Sequence, residues 1–187
     1  MHAPAYAAPA TPEQVAFAEE YLNEIKSMQS EFIQVAPNGD VSTGTFFLSR
    51  PGKLRWQYNP PTPILIIANK GTVTYYDADL DEVSYIGEKE TLASILTRPN
   101  IRFSGDIEVV QATSEDKVLR VSLAQKGKRD DGILTLVFEQ SPFLLRKLEV
   151  EDGAKNVTSI NLNNPQLGVA ISDKLFILQN PRFIKKK

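Results

Sequence analysis

The sequence predicts a mainly β protein, built as an antiparallel meander that forms a barrel or a strongly curved sheet. Two observations carry this prediction. Polar and apolar residues alternate through most of the chain after residue 31, and short clusters of Gly, Pro, Asn and Asp separate the alternating stretches. Alternation is typical of a strand with one buried face, and tight turns join antiparallel neighbours, as in up-and-down barrels.

The composition is that of an ordinary globular protein of 187 residues, with 42% hydrophobic and 24% charged residues. A chain of this length can bury a core of its own, so we expect one domain. The formal net charge of −2 argues against a nucleic-acid-binding protein, which would carry a basic excess. Cysteine is absent and the single histidine is His2, which excludes thiol chemistry, disulfides and a histidine-based triad. We expect no enzyme activity, cofactor or metal site.

The first residues lack periodicity and are rich in Ala and Pro. We expect residues 1–10 to form a disordered leader and residues 11–187 to form the single domain. Ala5-Tyr6-Ala7 has the small-x-small form of a signal-peptidase site. The stretch is therefore either the remnant of an export signal or a plain disordered leader.

The first regular element is an amphipathic helix, which we expect to run from Pro12 to about Ser27. Thr11 suits the N-cap position, and Gln14 completes a capping box with it. Apolar side chains recur every three or four residues and form one stripe: Val15, Ala18, Leu22 and Ile25. The helix therefore presents one apolar face to the sheet.

The strands are expected in two series with a short helix between them. The first series covers residues 31–36, 42–50, 53–59, 64–69, 72–77 and 82–86; the second covers residues 106–112, 117–125, 132–140, 143–151 and 155–163. A last short strand is expected at Lys174–Leu178. Between the series, Leu92, Ile95 and Leu96 sit at helical spacing before Pro99, which ends the run.

One face of the predicted sheet is apolar and has to be covered, yet only two helices are predicted to cover it. A core filled by side chains is one interpretation. The other is an apolar cavity under the helices that takes a hydrophobic ligand. The residues expected to line such a cavity come from the first helix and the hairpin after it: Leu22, Ile25, Phe46, Leu48, Leu54 and Trp56.

Arg50 does not fit the apolar pattern of its own strand. It shares a face with Phe46 and Leu48, where a strand normally meets its core. A buried guanidinium needs hydrogen-bond acceptors. Arg50 therefore either lies at the strand end and pairs with a surface carboxylate, or stands at the rim of a cavity and donates to backbone carbonyls of the short helix. In the second case it would be a polar latch on an apolar lid.

Several motifs follow the first helix in a fixed order. They are Phe32-Ile33-Gln34, Gly44-Thr45-Phe46-Phe47-Leu48, Arg50-Pro51-Gly52-Lys53-Leu54-Arg55-Trp56, Ile64–Ala68, Lys70-Gly71 and Tyr75-Tyr76-Asp77. This run resembles the family of LolA, the periplasmic outer-membrane lipoprotein carrier protein. The resemblance is specific over about residues 15–100 and rests on strand order beyond them.

The resemblance implies an unclosed antiparallel β half-barrel that encloses a hydrophobic cavity covered by α-helices. The family's functional arginine falls on Arg50, as the lid latch, and its lid helix falls on Thr91 to Leu96, with Leu92, Ile95 and Leu96 facing inward. A soluble monomeric carrier in the periplasm is implied.

The implied cargo is acylated lipoproteins, collected from the inner-membrane lipoprotein-releasing ABC transporter. The cargo would be handed to the outer-membrane receptor LolB where that receptor is present. Two alternatives stay open beside the carrier. One is a general periplasmic lipid or hydrophobic-ligand binding protein on the same scaffold, and the other is a hydrolase that uses scattered carboxylates.

Overall fold

One open antiparallel sheet forms most of the molecule. The structure is a computed structural model that describes residues 7–88 and 91–179. In these residues the sheet has twelve strands: β1 (Ala8–Pro9), β2 (Ser27–Val35), β3 (Val41–Ser49), β4 (Lys53–Tyr58), β5 (Ile64–Asn69), β6 (Thr72–Asp77), β7 (Glu82–Gly87), β8 (Ile107–Glu115), β9 (Val118–Gln125), β10 (Gly132–Gln140), β11 (Phe143–Asp152) and β12 (Val157–Leu167). Their order in space is β1-β8-β9-β10-β11-β12-β2-β3-β4-β5-β6-β7, so β1 and β7 are free edges. The predicted mainly β fold is confirmed, and the two predicted series of strands join where β12 pairs with β2.

Helix α1 (Pro12–Glu24) begins as predicted and ends earlier. Gln14 donates its backbone N–H to Thr11 Oγ1 at 3.3 Å, and Thr11 donates its own to Gln14 Oε1 at 2.9 Å. The helix was expected to reach Ser27, but Ile25 is already extended. Buried and exposed residues alternate from Met28 onward, as in a strand. Strand β2 therefore begins at Ser27, four residues before the predicted position, and the helix ends earlier than predicted.

An aromatic cluster attaches α1 to the second half of the sheet. The Tyr21 ring meets Phe138 and Phe143 edge-on, with ring centroids 5.9 and 5.0 Å apart, and these two phenylalanines stack on each other at 5.1 Å. The Tyr21 hydroxyl accepts the Leu145 N–H at 3.2 Å. Because Leu22 and Ile25 join the same core cluster as both halves of the sheet, α1 packs on the core as one of its walls.

The prediction of a last strand at Lys174–Leu178 is wrong. Residues Asp173–Phe176 form a 3-10 helix on the face of β4 and β5 opposite the core. Arg55 Nη1 donates to the Leu175 carbonyl at 2.7 Å, and Asn69 Nδ2 donates to the Phe176 carbonyl at 3.0 Å. Since β4 and β5 are already paired on both sides, a segment at this place can only pack on their surface.

The leader prediction also needs correction at its end. Ala8 and Pro9 pair with Ser114 and Thr113 as β1, and Ala10 donates its N–H to the Ala112 carbonyl at 3.0 Å. The earlier part of the expected leader, residues 1–6, lies outside the described residues.

The rest of the fold consists of α2 (Ala93–Thr97) and a 3-10 helix at Arg129–Asp131.

Gly44 marks the closest approach between β3 and its neighbours. A Cβ at this position would lie 2.1 Å from the Gln57 carbonyl oxygen and 2.7 Å from the Phe32 ring. The oxygen belongs to the β3–β4 ladder and cannot retreat freely. We expect Gly44→Ala to lower the free energy of unfolding by about 3 kcal/mol in a urea titration, whereas Val41→Ala, at an exposed position of the same strand, stays within about 0.5 kcal/mol of wild type. Equal effects of the two substitutions would contradict the close approach.

Candidate functional site

An apolar cavity of about 320 Å³ lies between the sheet and α2. Both halves of the sheet and the lid contribute to its wall: Leu54, Trp56, Tyr58, Ile66, Ala68, Val73, Tyr75, Ile86, Thr91, Leu92, Leu96, Leu134, Leu148, Val150 and Ile160. Strands β4–β7 and β10–β12 are separated by β2 and β3 in the sheet order, yet they face the same space. The sheet therefore curves strongly around the cavity.

The structure divides the residues that were expected to line the cavity into two groups. Leu54 and Trp56 line it. The others are buried in the core instead: Leu22, Ile25, Phe46 and Leu48. The Phe46 ring packs against its cross-strand neighbour Trp56 at a centroid distance of 4.2 Å, so it supports the cavity wall from the side.

Most of the lining residues come from strands that sequence reasoning did not assign to the site. Leu148 and Val150 alternate with polar residues, so an inward face was visible in the sequence, but alternation does not separate a cavity wall from a core. Residues 64–68 show no alternation at all. Ile66 and Ala68 face the cavity, whereas Ile67 is buried on the opposite face, where the 3-10 helix packs.

Helix α2 lies over the cavity as the predicted short helix. Leu92, at its N-cap, and Leu96, one turn later, line the cavity, as expected for i, i+4 neighbours. Ile95, the third predicted lid residue, is fully buried in the core and does not line the cavity. Ser94 and Thr97 lie on the other side of the helix, facing a polar groove.

Several polar contacts hold the C-terminal end of α2. Arg50 Nε donates to the Leu96 carbonyl at 2.8 Å, and Gly52 donates its N–H to the Thr97 carbonyl at 2.8 Å. The Thr97 hydroxyl donates to the Glu88 carboxylate. By contrast, the N-cap residue of α2 makes no side-chain capping hydrogen bond. The lid is therefore tied to the β3–β4 turn and to the end of β7.

Arg50 has an unusual environment for a cation. Burial lowers the pKa of its guanidinium to about 10, and no carboxylate in the described part of the chain forms an ion pair with it. The group is still protonated at neutral pH, so a buried positive charge faces the lid backbone. This is the contact that the rim interpretation of Arg50 anticipates, and it differs from the surface ion pair of the other interpretation.

A polar groove of about 700 Å³ runs along the opposite side of α2. Arg98 spans part of it with two hydrogen bonds to Asp106, at 2.8 and 2.6 Å. The groove carries charged side chains and much polar surface, whereas the wall of the cavity is almost entirely apolar. The candidate site is therefore the apolar cavity on the inner side of the helix.

The described residues contain no cluster of three or more His, Cys, Asp or Glu side chains placed to hold a metal ion. Among the same residues, no helix has both the length and the apolar character needed to cross a membrane.

The Thr97 hydroxyl gives a test of how firmly the lid is held. Thr97→Val keeps the shape of the side chain and leaves the Glu88 carboxylate, which is buried, without this donor. Losing a hydrogen bond to a charged group costs about 1.5 kcal/mol or more, so we expect the affinity for a fluorescent fatty acid to rise about tenfold. Thr74→Val, on the outer face of β6, is the control and should leave the affinity unchanged. Equal affinities for all three proteins would show that this contact does not restrain the lid.

Comparisons with known proteins point to one family. The model of the outer membrane lipoprotein carrier protein LolA matches residues 23–179. An outer-membrane lipoprotein carrier protein of Methylococcus capsulatus is 26% identical over 86% of this chain and 81% of its own length. An uncharacterized protein of Rickettsia prowazekii is also 26% identical, over 86% of this chain and 74% of its own length.

A solved structure has the same fold at much lower sequence similarity. It is a putative outer membrane lipoprotein-sorting protein domain from Vibrio parahaemolyticus, which is 9% identical and has a TM-score of 0.53 over 87% of this chain and 94% of its own length. The open twelve-strand sheet, the lidded cavity and the family match over most of the chain agree with one another. This chain belongs to the LolA family of outer membrane lipoprotein carrier proteins.

Proposed function

We propose that this protein is a periplasmic carrier that holds the acyl chains of lipoproteins in the apolar cavity. It would collect them from the inner-membrane lipoprotein-releasing ABC transporter and deliver them to the outer membrane, through the receptor LolB where that receptor is present. The observation that carries the proposal is the apolar cavity of about 320 Å³ beneath a helix whose Leu96 carbonyl accepts a hydrogen bond from Arg50. Family membership supports the choice of lipoproteins as cargo.

The size of the cavity indicates that the lid has to move. Sites for small ligands usually measure about 300–1,000 Å³, so this cavity is at the lower end of the range. Several acyl chains need more space than one small ligand. Leu92 and Leu96 occupy the position that the chains would take, and loading would displace them.

This arrangement allows binding that is strong and still reversible. Each acyl methylene that leaves water contributes about 0.8 kcal/mol, so fully sequestered chains would be held almost irreversibly. If the empty protein closes its own lid, cargo has to supply the free energy of opening. Each 1.4 kcal/mol of closing free energy weakens binding about tenfold. Arg50 would set much of that free energy through the Leu96 carbonyl.

A matched set of ligands separates the carrier from a general lipid binder. The ligands are a synthetic triacylated lipopeptide, the same peptide without acyl chains, and a diacyl phospholipid, each titrated into the purified protein. The carrier hypothesis predicts a stable complex with the lipopeptide, none with the bare peptide, and at least about tenfold weaker binding of the phospholipid. Equal affinity for lipopeptide and phospholipid would favour the general binder, and no binding of either would reject the cavity as an acyl site.

A further inference from the structure

The guanidinium of Arg50 uses little of its hydrogen-bonding capacity in the closed structure. A guanidinium carries five N–H donors. Nε donates to the Leu96 carbonyl at 2.8 Å, whereas Nη1 and Nη2 are buried and have no hydrogen-bond partner among the described residues. Donors that lose water without gaining an acceptor are costly, so the closed state leaves Arg50 poorly satisfied.

The position of Arg50 connects these donors to the cavity. The residue follows β3 directly and shares a strand face with Phe46 and Leu48, which are buried in the core. Its acceptor is the backbone of Leu96, whose side chain lines the cavity. When α2 moves away from the cavity, Nε loses this acceptor as well, and the guanidinium is then left without a hydrogen-bond acceptor among the described residues.

Two hydroxyl groups of the cavity wall are already engaged. The Tyr58 hydroxyl donates to Gln34 Oε1 at 2.8 Å, and the Thr91 hydroxyl donates to the Glu88 carbonyl at 2.8 Å. An acyl group that enters an apolar cavity carries a polar atom of its own, the ester or amide carbonyl oxygen, which also loses water on entry. A charged donor with unused N–H groups is the partner that such an oxygen needs.

We propose that Arg50 exchanges the Leu96 carbonyl for the carbonyl oxygen of the bound acyl group. The protein then recognises an acyl carbonyl, as ester or amide, in addition to the hydrocarbon chain. The inference rests on the proposed function, because it requires an acyl ligand in the cavity. It gives Arg50 two exclusive roles: it holds the lid when the cavity is empty and the head of the acyl chain when the cavity is full.

The exchange predicts a reversal of the preference that an apolar cavity would show alone. Without a donor, such a cavity binds an alkyl ether better than the matching ester, since the ester carbonyl has to give up water. With Arg50 as donor, the ester binds better. The sign of this preference therefore distinguishes the exchange from hydrophobic binding, whatever the absolute affinity is.

Two lipids that differ only at this oxygen provide the test. They are a lysophosphatidylcholine with one saturated ester-linked chain and the analogue with an ether-linked chain of equal length, titrated below their micelle concentrations. We expect wild-type protein to bind the ester about tenfold more tightly. Arg50→Leu should bind the ether at least as well as the ester. Arg102→Leu, which removes an exposed arginine, should keep the wild-type preference.

An infrared measurement checks the contact itself. With a ¹³C label at the ester carbonyl, the bound lipid should show a lowered carbonyl stretching frequency in wild-type protein and in Arg102→Leu, and a higher one in Arg50→Leu. Equal binding of the two lipids by wild type, or an ester preference that survives in Arg50→Leu, would overturn the exchange. If neither lipid nor any acylated peptide binds to wild type, the proposed function itself fails, which is a different result.

Discussion

Arg50→Leu is expected to raise the affinity for the ether-linked lipid, which has no acyl carbonyl for Arg50 to bind, about tenfold to a hundredfold and to slow its release by a similar factor. The substitution removes the hydrogen bond from Nε to the Leu96 carbonyl and the buried charge, while leucine fits the apolar face that Phe46 and Leu48 begin. The closed, empty state then loses stability, and cargo no longer has to supply the full free energy of opening.

The effect on transfer should be opposite to the effect on loading. We expect the variant to accept cargo readily and to pass it poorly to acceptor membranes, because release depends on the lid closing again. Stopped-flow release of a fluorescent ether-linked lipid into vesicles measures the latch without a contribution from the acyl carbonyl. Arg102→Leu serves as the control for losing one positive charge and should match wild type. Unchanged affinity together with an unchanged release rate in Arg50→Leu would reject the latch.

Ile66→Trp is expected to weaken acyl binding at least tenfold while the protein remains folded. Ile66 lines the cavity from β5, where it faces Trp56 of β4 as its paired neighbour. An indole at this position would project into a cavity of about 320 Å³ and compete with an acyl chain for the space. Because the larger side chain can extend into the open cavity, the free energy of unfolding should fall by less than about 2 kcal/mol.

Thr74→Trp provides the matched control for that substitution. Thr74 pairs with Ile67, on the face of the sheet opposite the cavity. The same side chain is added there without filling the site, and acyl binding should persist. Isothermal titration with a fatty acid gives the affinities, and thermal unfolding reports on the fold. If Ile66→Trp is stably folded and binds the fatty acid as tightly as wild type, the ligand does not bind in this cavity.

Local patterns were sufficient to predict most of the fold. The capping box of Thr11 and Gln14 located the start of α1, and turn residues located nearly all strands of both series. The errors occurred where tertiary packing decides between two local possibilities. Met28 satisfies both a helical stripe and a strand period, and its pairing with Leu48 decides for the strand.

The candidate site was less predictable than the fold, and for a physical reason. The sequence pattern of an inward-facing apolar side chain is the same whether that side chain packs in a core or lines a cavity. Phe46 and Trp56 both face inward, yet Trp56 lines the cavity and Phe46 packs beside it in the core. Which strands meet across the cavity depends on the curvature of the whole sheet, which places Leu134 and Ile160 opposite the β4–β7 wall.

Arg50 was visible from the sequence because a charged residue interrupted an apolar face. The sequence left two environments open for it, a surface ion pair or backbone carbonyls of the short helix, and the structure places the Leu96 carbonyl at Nε. The unpartnered Nη1 and Nη2 atoms could not be anticipated, since burial of single atoms follows from packing. The function of Arg50 as latch and as carbonyl site stays a proposal for the experiments above.

Whether the cavity carries acylated proteins can be measured directly, from the masses of the complexes that the protein forms. The protein would be recovered from the periplasm of its own cells under mild conditions and examined by native mass spectrometry, with Ile66→Trp prepared in parallel. We predict complexes in which the wild-type chain carries intact triacylated proteins, and which are lost in Ile66→Trp. Wild-type chain that carries only free phospholipid, or cargo that persists when the cavity is filled, would contradict the account.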